Sequence, residues 1–191
     1  MKKITTLFKK DPKNLKLVTP EIDPENEWAL DPAVSVATVK LDGTACAIIR
    51  GRLCKRYDAK NGKPVPSDAI PCQDPDATTG HWPHWIPCKR EDPADKWHFE
   101  ALDRIEGSRN EGTYELCGPK VQGNPEGLGV HILKRHGDIK ISGISELSFD
   151  GIKSFLSDPV YDIEGIVFHH KIDGRMCKIR KSDFGIKRQQ K

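Results

Sequence analysis

Short apolar runs with two-residue alternation recur along this chain, and most are joined by tight polar turns. Ala33-Val34-Ser35-Val36-Ala37-Thr38-Val39 reads as a strand with Val34, Val36 and Thr38 on one face. Lys40 shares that face if the strand runs on to it. Ala45 to Arg50 is a second strand, and Gly51 turns it into Leu53-Cys54-Lys55-Arg56-Tyr57. Further strands are expected at 113–117, 129–135, 165–170 and 175–180. Helices are few. Asp92 to Ile105 reads as one, with Pro93 in its first turn and Trp97, Ala101 and Ile105 at spacing four. Ser148 to Leu156 reads as another, with Ile152, Phe155 and Leu156 facing inward. The predicted fold class is therefore α+β with antiparallel sheets and flanking helices.

Length and composition bound the rest. At 191 residues the chain is expected to form one domain with a real core. Charged residues make up 31% and apolar residues 36%, and mean hydropathy is -0.60, as in a soluble globular chain. With no apolar run of 18 residues, no membrane association is expected, and no secretory signal is read at the N-terminus. Six cysteines at 46, 54, 72, 88, 117 and 177 contain no C-x-x-C pair. They read as reduced thiols of a cytoplasmic or nuclear protein. Residues 1–20 hold six Lys and one Asp, and residues 171–191 hold eight Lys/Arg and two Asp, so the net +3 conceals two basic ends on an acidic body. That pattern suits a polyanion path, or two solvated tails. Residues 1–32 read as a basic, Pro-containing, irregular arm with room for one short strand. Residues 33–184 read as the domain and 185–191 as a basic tail. Residues 58–93, with seven prolines, two glycines and two tryptophans, are too long for a simple connection and read as a lid or inserted loop.

Four charged blocks follow one another in order: Lys40-Leu41-Asp42-Gly43, Tyr114-Glu115-Leu116-Cys117-Gly118, Glu164-Gly165-Ile166-Val167 and Lys178-Ile179-Arg180-Lys181. Alone, each has a plain reading: a charged β-turn, a solvent-facing Glu in a strand, a Glu beside a turn Gly, a basic edge strand. Together they supply an amine nucleophile, two carboxylates and a group of cations. A free lysine has a pKa near ~10.4 and needs burial or neighbouring cations to act as a nucleophile. Lys178 and Arg180 alternate with Cys177 and Ile179, so both point to one face, where they suit a phosphate. Glu164, at a strand entrance, suits Mg²⁺.

The ordered set resembles the covalent nucleotidyltransferase superfamily of ATP-dependent ligases and capping enzymes. Lys40 matches the lysine that bonds the nucleotide, followed by Asp42 and Gly43 of the same motif. Lys55-Arg56 falls where a basic residue contacts ribose. Glu115 matches the carboxylate near the sugar, Glu164 the metal carboxylate, and Lys178 and Arg180 the cations on the α-phosphate. By order, the residue that stacks on the base is His131 or His136, and His136 is carried in the set. Gly80-His81-Trp82-Pro83-His84-Trp85, Tyr114 to Lys120, Gly123-Asn124-Pro125-Glu126-Gly127-Leu128 and His136-Gly137 are similar to the RNA ligase 1 family of 5′-to-3′ RNA ligases. The resemblance implies a nucleotidyltransferase (ATP-grasp-like) domain with no oligonucleotide-binding-fold domain after it. It implies ATP, with Mg²⁺ or Mn²⁺, and RNA bearing 5′-phosphate and 3′-hydroxyl ends, handled by a monomer. The chain departs from the pattern in three places. Thr38 and Val39 stand where many relatives place a Glu, and Arg180 stands where a second lysine is common. Other readings are a DNA ligase, a GMP-transferring capping-type enzyme and a non-catalytic RNA-end binder. In the long loop, Cys72, His81, His84 and Cys88 could form a zinc site. Their C-x8-H-x2-H-x3-C spacing fits no familiar finger, and a Pro-rich loop with unrelated polar side chains is the plainer reading. Trp82 and Trp85 either stack on bases or anchor the loop on the core.

Overall fold

The computed structural model describes residues 4–188. The outermost three residues of the expected N-terminal arm, and of the basic tail, lie outside them. In chain order the strands and helices are β1 (Thr5–Thr6), β2 (Phe8–Asp11), β3 (Asn14–Ile22), β4 (Ser35–Lys40), β5 (Thr44–Ile49), β6 (Arg52–Asp58), β7 (Ile70–Pro71), β8 (Pro83–Pro87), α1 (Lys96–Leu102), β9 (Gly112–Cys117), β10 (Ile132–Arg135), α2 (Phe149–Ser157), β11 (Gly165–His170) and β12 (Met176–Arg180). Strands outnumber helices and all but one of their pairings are antiparallel, so the class is α+β as the alternation predicts.

These elements form two compact units. The discontinuous unit takes residues 4–41 and 137–188. Its four-stranded sheet has the order β1-β12-β11-β4, and β2 pairs β3 separately. Gly165 of β11 lies opposite both Lys40 and Arg180, and Val167 lies opposite both Thr38 and Lys178. Directly opposed residues share a face. Thr38, Lys40, Lys178 and Arg180 therefore occupy one face of this sheet. Ile166, Phe168, Cys177 and Ile179 occupy the other, where they pack with Ile152, Phe155 and Leu156 of α2. Each such side chain contributes about 1.5–3 kcal/mol by leaving water. Ser148 starts α2 by accepting a hydrogen bond from the Gly151 N–H at 3.2 Å.

The continuous unit is Asp42–His136. Its six-stranded sheet runs β10-β9-β5-β6-β8-β7. Cys46, Ile48, Leu53, Tyr114 and Leu116 form its core with Ala101 and Leu102 of α1 and with Val121. Asp92 caps the 3₁₀ turn Pro93–Asp95 that leads into α1, accepting from the Ala94 N–H at 2.9 Å.

Two segments differ from their sequence reading. The arm is not irregular: residues 5–22 form β1 to β3, and Pro24–Leu30 is a 3₁₀ helix. Pro20 is compatible with β3 because that strand pairs on one side only, with β2. The 58–93 segment is partly sheet, since β8 pairs along β6 from Cys54↔Pro87 to Asp58↔Pro83. Pro83 and Pro87 stand at the two ends of β8. Among the described residues no helix is long and apolar enough to cross a membrane. All six cysteines are free thiols.

Candidate active site

Lys40 is the last residue of β4, and its ammonium pairs with the Glu164 carboxylate. It also lies 3.4 Å from the Leu41 carbonyl. Glu164 immediately precedes β11, the strand lying between those that carry Lys40 and Arg180. Gly165 makes this arrangement possible. A Cβ there would lie 2.2 Å from the Ile179 carbonyl oxygen and 2.7 Å from Arg180 Cα. Burial, then the charges of Lys40 and Arg180, hold the Lys178 ammonium below the ordinary lysine range, while Glu164 and Asp183 oppose that shift.

Arg180 is fixed by a residue that the sequence reading did not single out. Its Nε donates to Asp183 Oδ2 at 3.2 Å and its Nη2 to Oδ1 at 2.9 Å, while its backbone N–H donates to Oδ2 at 2.9 Å. Lys10 Nζ donates to Oδ1 at 2.6 Å. Asp183 is fully buried. Burial alone would raise its pKa, but the hydrogen bonds from Arg180 and Lys10 hold the carboxyl below the usual carboxylate range. Thr38 donates to the Val167 carbonyl at 3.2 Å and shares a 2.9 Å hydrogen bond with His169 Nε2.

In the continuous unit the second half of the lysine block meets the Glu115 block. Gly43 N–H donates to Glu115 Oε1 at 3.1 Å, and Asp42 N–H donates to Glu126 Oε1 at 3.0 Å. Two carboxylates thus fix successive amides of one turn. A Cβ on Gly43 would lie 2.2 Å from the Leu116 carbonyl oxygen, so this position requires glycine. Glu115 is only 9% exposed, in the middle of β9. Its second oxygen, Oε2, lies 2.7 Å from His136 Nε2. The structure therefore groups His136 with Glu115. His131 sits elsewhere in the unit, buried and stacked on Trp97 at 4.5 Å. Its Nε2 accepts the Lys120 N–H at 3.2 Å, and its Nδ1 lies 3.1 Å from Glu100 Oε1. Those contacts make it a packing residue.

Arg56, on β6, lays its guanidinium over the Trp85 ring, 5.3 Å from the centroid. Trp85 is buried against Ala47 and Cys54, and Trp82 Nε1 donates to the Gln73 carbonyl at 3.0 Å. Both indoles anchor their segment. The Cys72, His81, His84 and Cys88 set is not assembled. His81 Nδ1 pairs with Asp58, and His84 Nδ1–H donates to the Trp82 carbonyl at 2.8 Å. Among the described residues the one cluster of metal-type side chains is Cys88, Asp95 and His98.

Sequence reasoning gave no site role to Glu126, Asp183 or Lys10. Glu126 is 84 positions from its partner Asp42, and Lys10 is 173 from Asp183. No local pattern joins such pairs. The Arg180–Asp183 spacing of three, just past a strand, was the one signal available.

Residues 104–191 match the family model of RNA ligase 1. Three curated proteins named RNA ligase 1 are similar to this chain across 161 aligned residues: those of Danio rerio at 29% identity, Mus musculus at 27% and Rattus norvegicus at 26%. Each alignment takes in 69% of this chain and 46% of the relative, so the chain spans about half the length of the curated relatives it matches. The family that this chain resembles is therefore the RNA ligase 1 family, through its model over residues 104–191 and through its curated members over 69% of the chain.

Proposed function

We propose that this chain is an ATP-dependent 5′-to-3′ RNA ligase that works through a covalent lysyl-AMP on a nucleotidyltransferase-type fold. The observation that carries the reading is the set on one sheet face: Lys40 paired with Glu164, and Lys178 and Arg180 across β11.

Lys40 attacks as the neutral amine. Its proton passes to solvent before the attack. The Nζ–phosphorus bond forms at the α-phosphate of ATP while the bond to the bridging oxygen breaks, releasing pyrophosphate. Lys178 and Arg180 bind the α-phosphate oxygens and offset the charge that builds there. An oxygen of an RNA 5′-phosphate then takes the nucleotidyl group, the N–P bond breaks and the amine regains a proton. Finally a 3′-hydroxyl attacks that RNA phosphate, with loss of its proton, and AMP leaves. Glu115, Arg56 and His136 are assigned to the nucleoside, with Asp42 and Gly43 in the turn that follows the nucleophile. Glu164 offers oxygen ligands of the kind Mg²⁺ or Mn²⁺ prefers, and such an ion would supply charge neutralisation at the triphosphate.

The test is intact mass after incubation with ATP and Mg²⁺, beside Lys40→Ala and beside GTP. A gain of one AMP by the native chain alone supports the reading. A gain of GMP instead points to a capping-type enzyme. No adduct from folded, nucleotide-stripped protein overturns it.

A further inference from the structure

We propose a divalent transition-metal site, of the kind that takes Zn²⁺, at Cys88, Asp95 and His98 in the continuous unit. The three residues offer one sulfur, one carboxylate oxygen and one imidazole nitrogen, all within 4.8 Å of one another. This is a borderline-soft donor set, of the type zinc selects, whereas Mg²⁺ prefers oxygen alone. None of the three belongs to the nucleotide-handling set above.

The local fold brings them together. Cys88 follows β8, with its N–H donating to the Leu53 carbonyl at 2.9 Å. Asp95 and His98 stand three residues apart at the start of α1, so both project to one side of it. Asp95 is fully buried, and its Oδ2 accepts the Lys89 N–H at 2.9 Å. A backbone donor of this kind aims a ligating carboxylate.

His98 gives the independent indication. It is only 8% exposed, and neither of its ring nitrogens has a hydrogen-bond partner. Buried polar groups in folded proteins are overwhelmingly paired, so a doubly unpaired imidazole calls for an explanation. A metal accepts one nitrogen lone pair and removes half of the deficit. Cys88 is partly exposed, so solvent reaches the cluster from its side.

One cation already touches the cluster. Lys55 Nζ lies 2.5 Å from Asp95 Oδ1, but also 3.7 Å from Asp92 Oδ2. Asp92 gives the ammonium a second seat. A metal taking Asp95 shifts Lys55 onto Asp92, so metal and lysine compete for one carboxylate.

Cobalt(II) titration of the full chain, followed by its thiolate-to-cobalt absorption, tests this directly, with zinc retention against a mild chelator as the second readout. The native chain is expected to bind one equivalent and to show the thiolate band. Cys88→Ser is expected to lose the band, and His98→Gln to weaken binding by roughly tenfold or more. Lys55→Met, which removes the competing cation but keeps the stem, is expected to tighten it. Circular dichroism reports whether each variant folds; should His98→Gln fail to fold, the native chain and Cys88→Ser decide. Absence of any thiolate band in the native chain overturns the proposal. So does a band that survives Cys88→Ser, or one that is lost on Cys72→Ser instead.

Discussion

Lys40 and Arg180 are register partners of the same residue, Gly165, so β11 alone separates the lysine proposed as nucleophile from a cation proposed to bind phosphate. Two strand spacings put their backbones about 9–10 Å apart, a span suited to long side chains converging on one phosphate. The room depends on the missing Cβ. Gly165→Ala puts a methyl group 2.2 Å from the Ile179 carbonyl oxygen, and β11 and β12 must part locally. The expected cost is about 1–3 kcal/mol in urea unfolding, together with loss of AMP transfer to Lys40. A variant as stable and as active as the native chain would show that the spacing is not needed.

The turn after Lys40 is held in the continuous unit by Glu115 and Glu126. Gly43→Ala drives a methyl group to 2.2 Å from the Leu116 oxygen, so about 1–3 kcal/mol of stability is expected to be lost. Glu115→Gln keeps a carbonyl for the Gly43 N–H but removes the charge facing His136. Its expected cost is smaller, about 1 kcal/mol. Thermal melts of the two variants rank them, and the reverse order would contradict the packing argument.

How much of this was legible in the sequence follows from the range of each interaction. Strands such as β4, β5, β6, β9, β11 and β12 declare themselves through local alternation and turn residues. Both helices do so through spacing and caps. The facing of Lys178 and Arg180 was readable for the same reason, since alternation fixes it. Register is not local. Lys40 meets Glu164 across 124 positions, and only the pairing of β4 with β11 puts them together. The proline-bearing arm misled because Pro argues against a strand only when both edges must pair. Pro83 and Pro87 misled for another reason: β8 pairs on both sides, with β6 and β7, and they stand at its two limits.

Lys178 supplies a pH test. Its ammonium is held below the ordinary lysine range in the fold, by burial and then by Lys40 and Arg180. The unfolded chain therefore binds this proton more tightly than the native one, and stability rises with pH through that interval. The penalty is present at neutral pH and disappears as pH climbs past the depressed value towards that of a free lysine. Lys178→Met removes the penalty. The variant is expected to melt higher than the native chain at pH 7, and the gap should close as the buffer becomes alkaline. The same change is expected to slow AMP transfer to Lys40 by roughly 100-fold or more. A gap that is constant with pH would refute the electrostatic cause.

Asp183 gives the opposite sign. It is fully buried between Arg180 and Lys10, and their hydrogen bonds overcome burial to hold its carboxyl below the usual range. A depressed carboxylate stabilises the fold above its unfolded pKa of ~3.9, and that contribution drains away as pH falls through the native value. Asp183→Asn keeps the shape but turns an amide towards two cations. At pH 7 it is expected to lose about 1–3 kcal/mol, since Arg180 and Lys10, each about a third exposed, lose a charged hydrogen-bond acceptor. Below pH ~4 the native chain should weaken towards the variant. Arg180 also loses both of its guanidinium contacts with Asp183. If those contacts aim the cation, AMP transfer falls even where the variant is fully folded, and the KM for ATP rises. Urea unfolding at pH 7 and below pH 4, with transfer rates measured on folded protein, separates the two roles. Transfer kinetics unchanged in a merely destabilised variant would leave Asp183 as a fold residue and remove it from the positioning of Arg180.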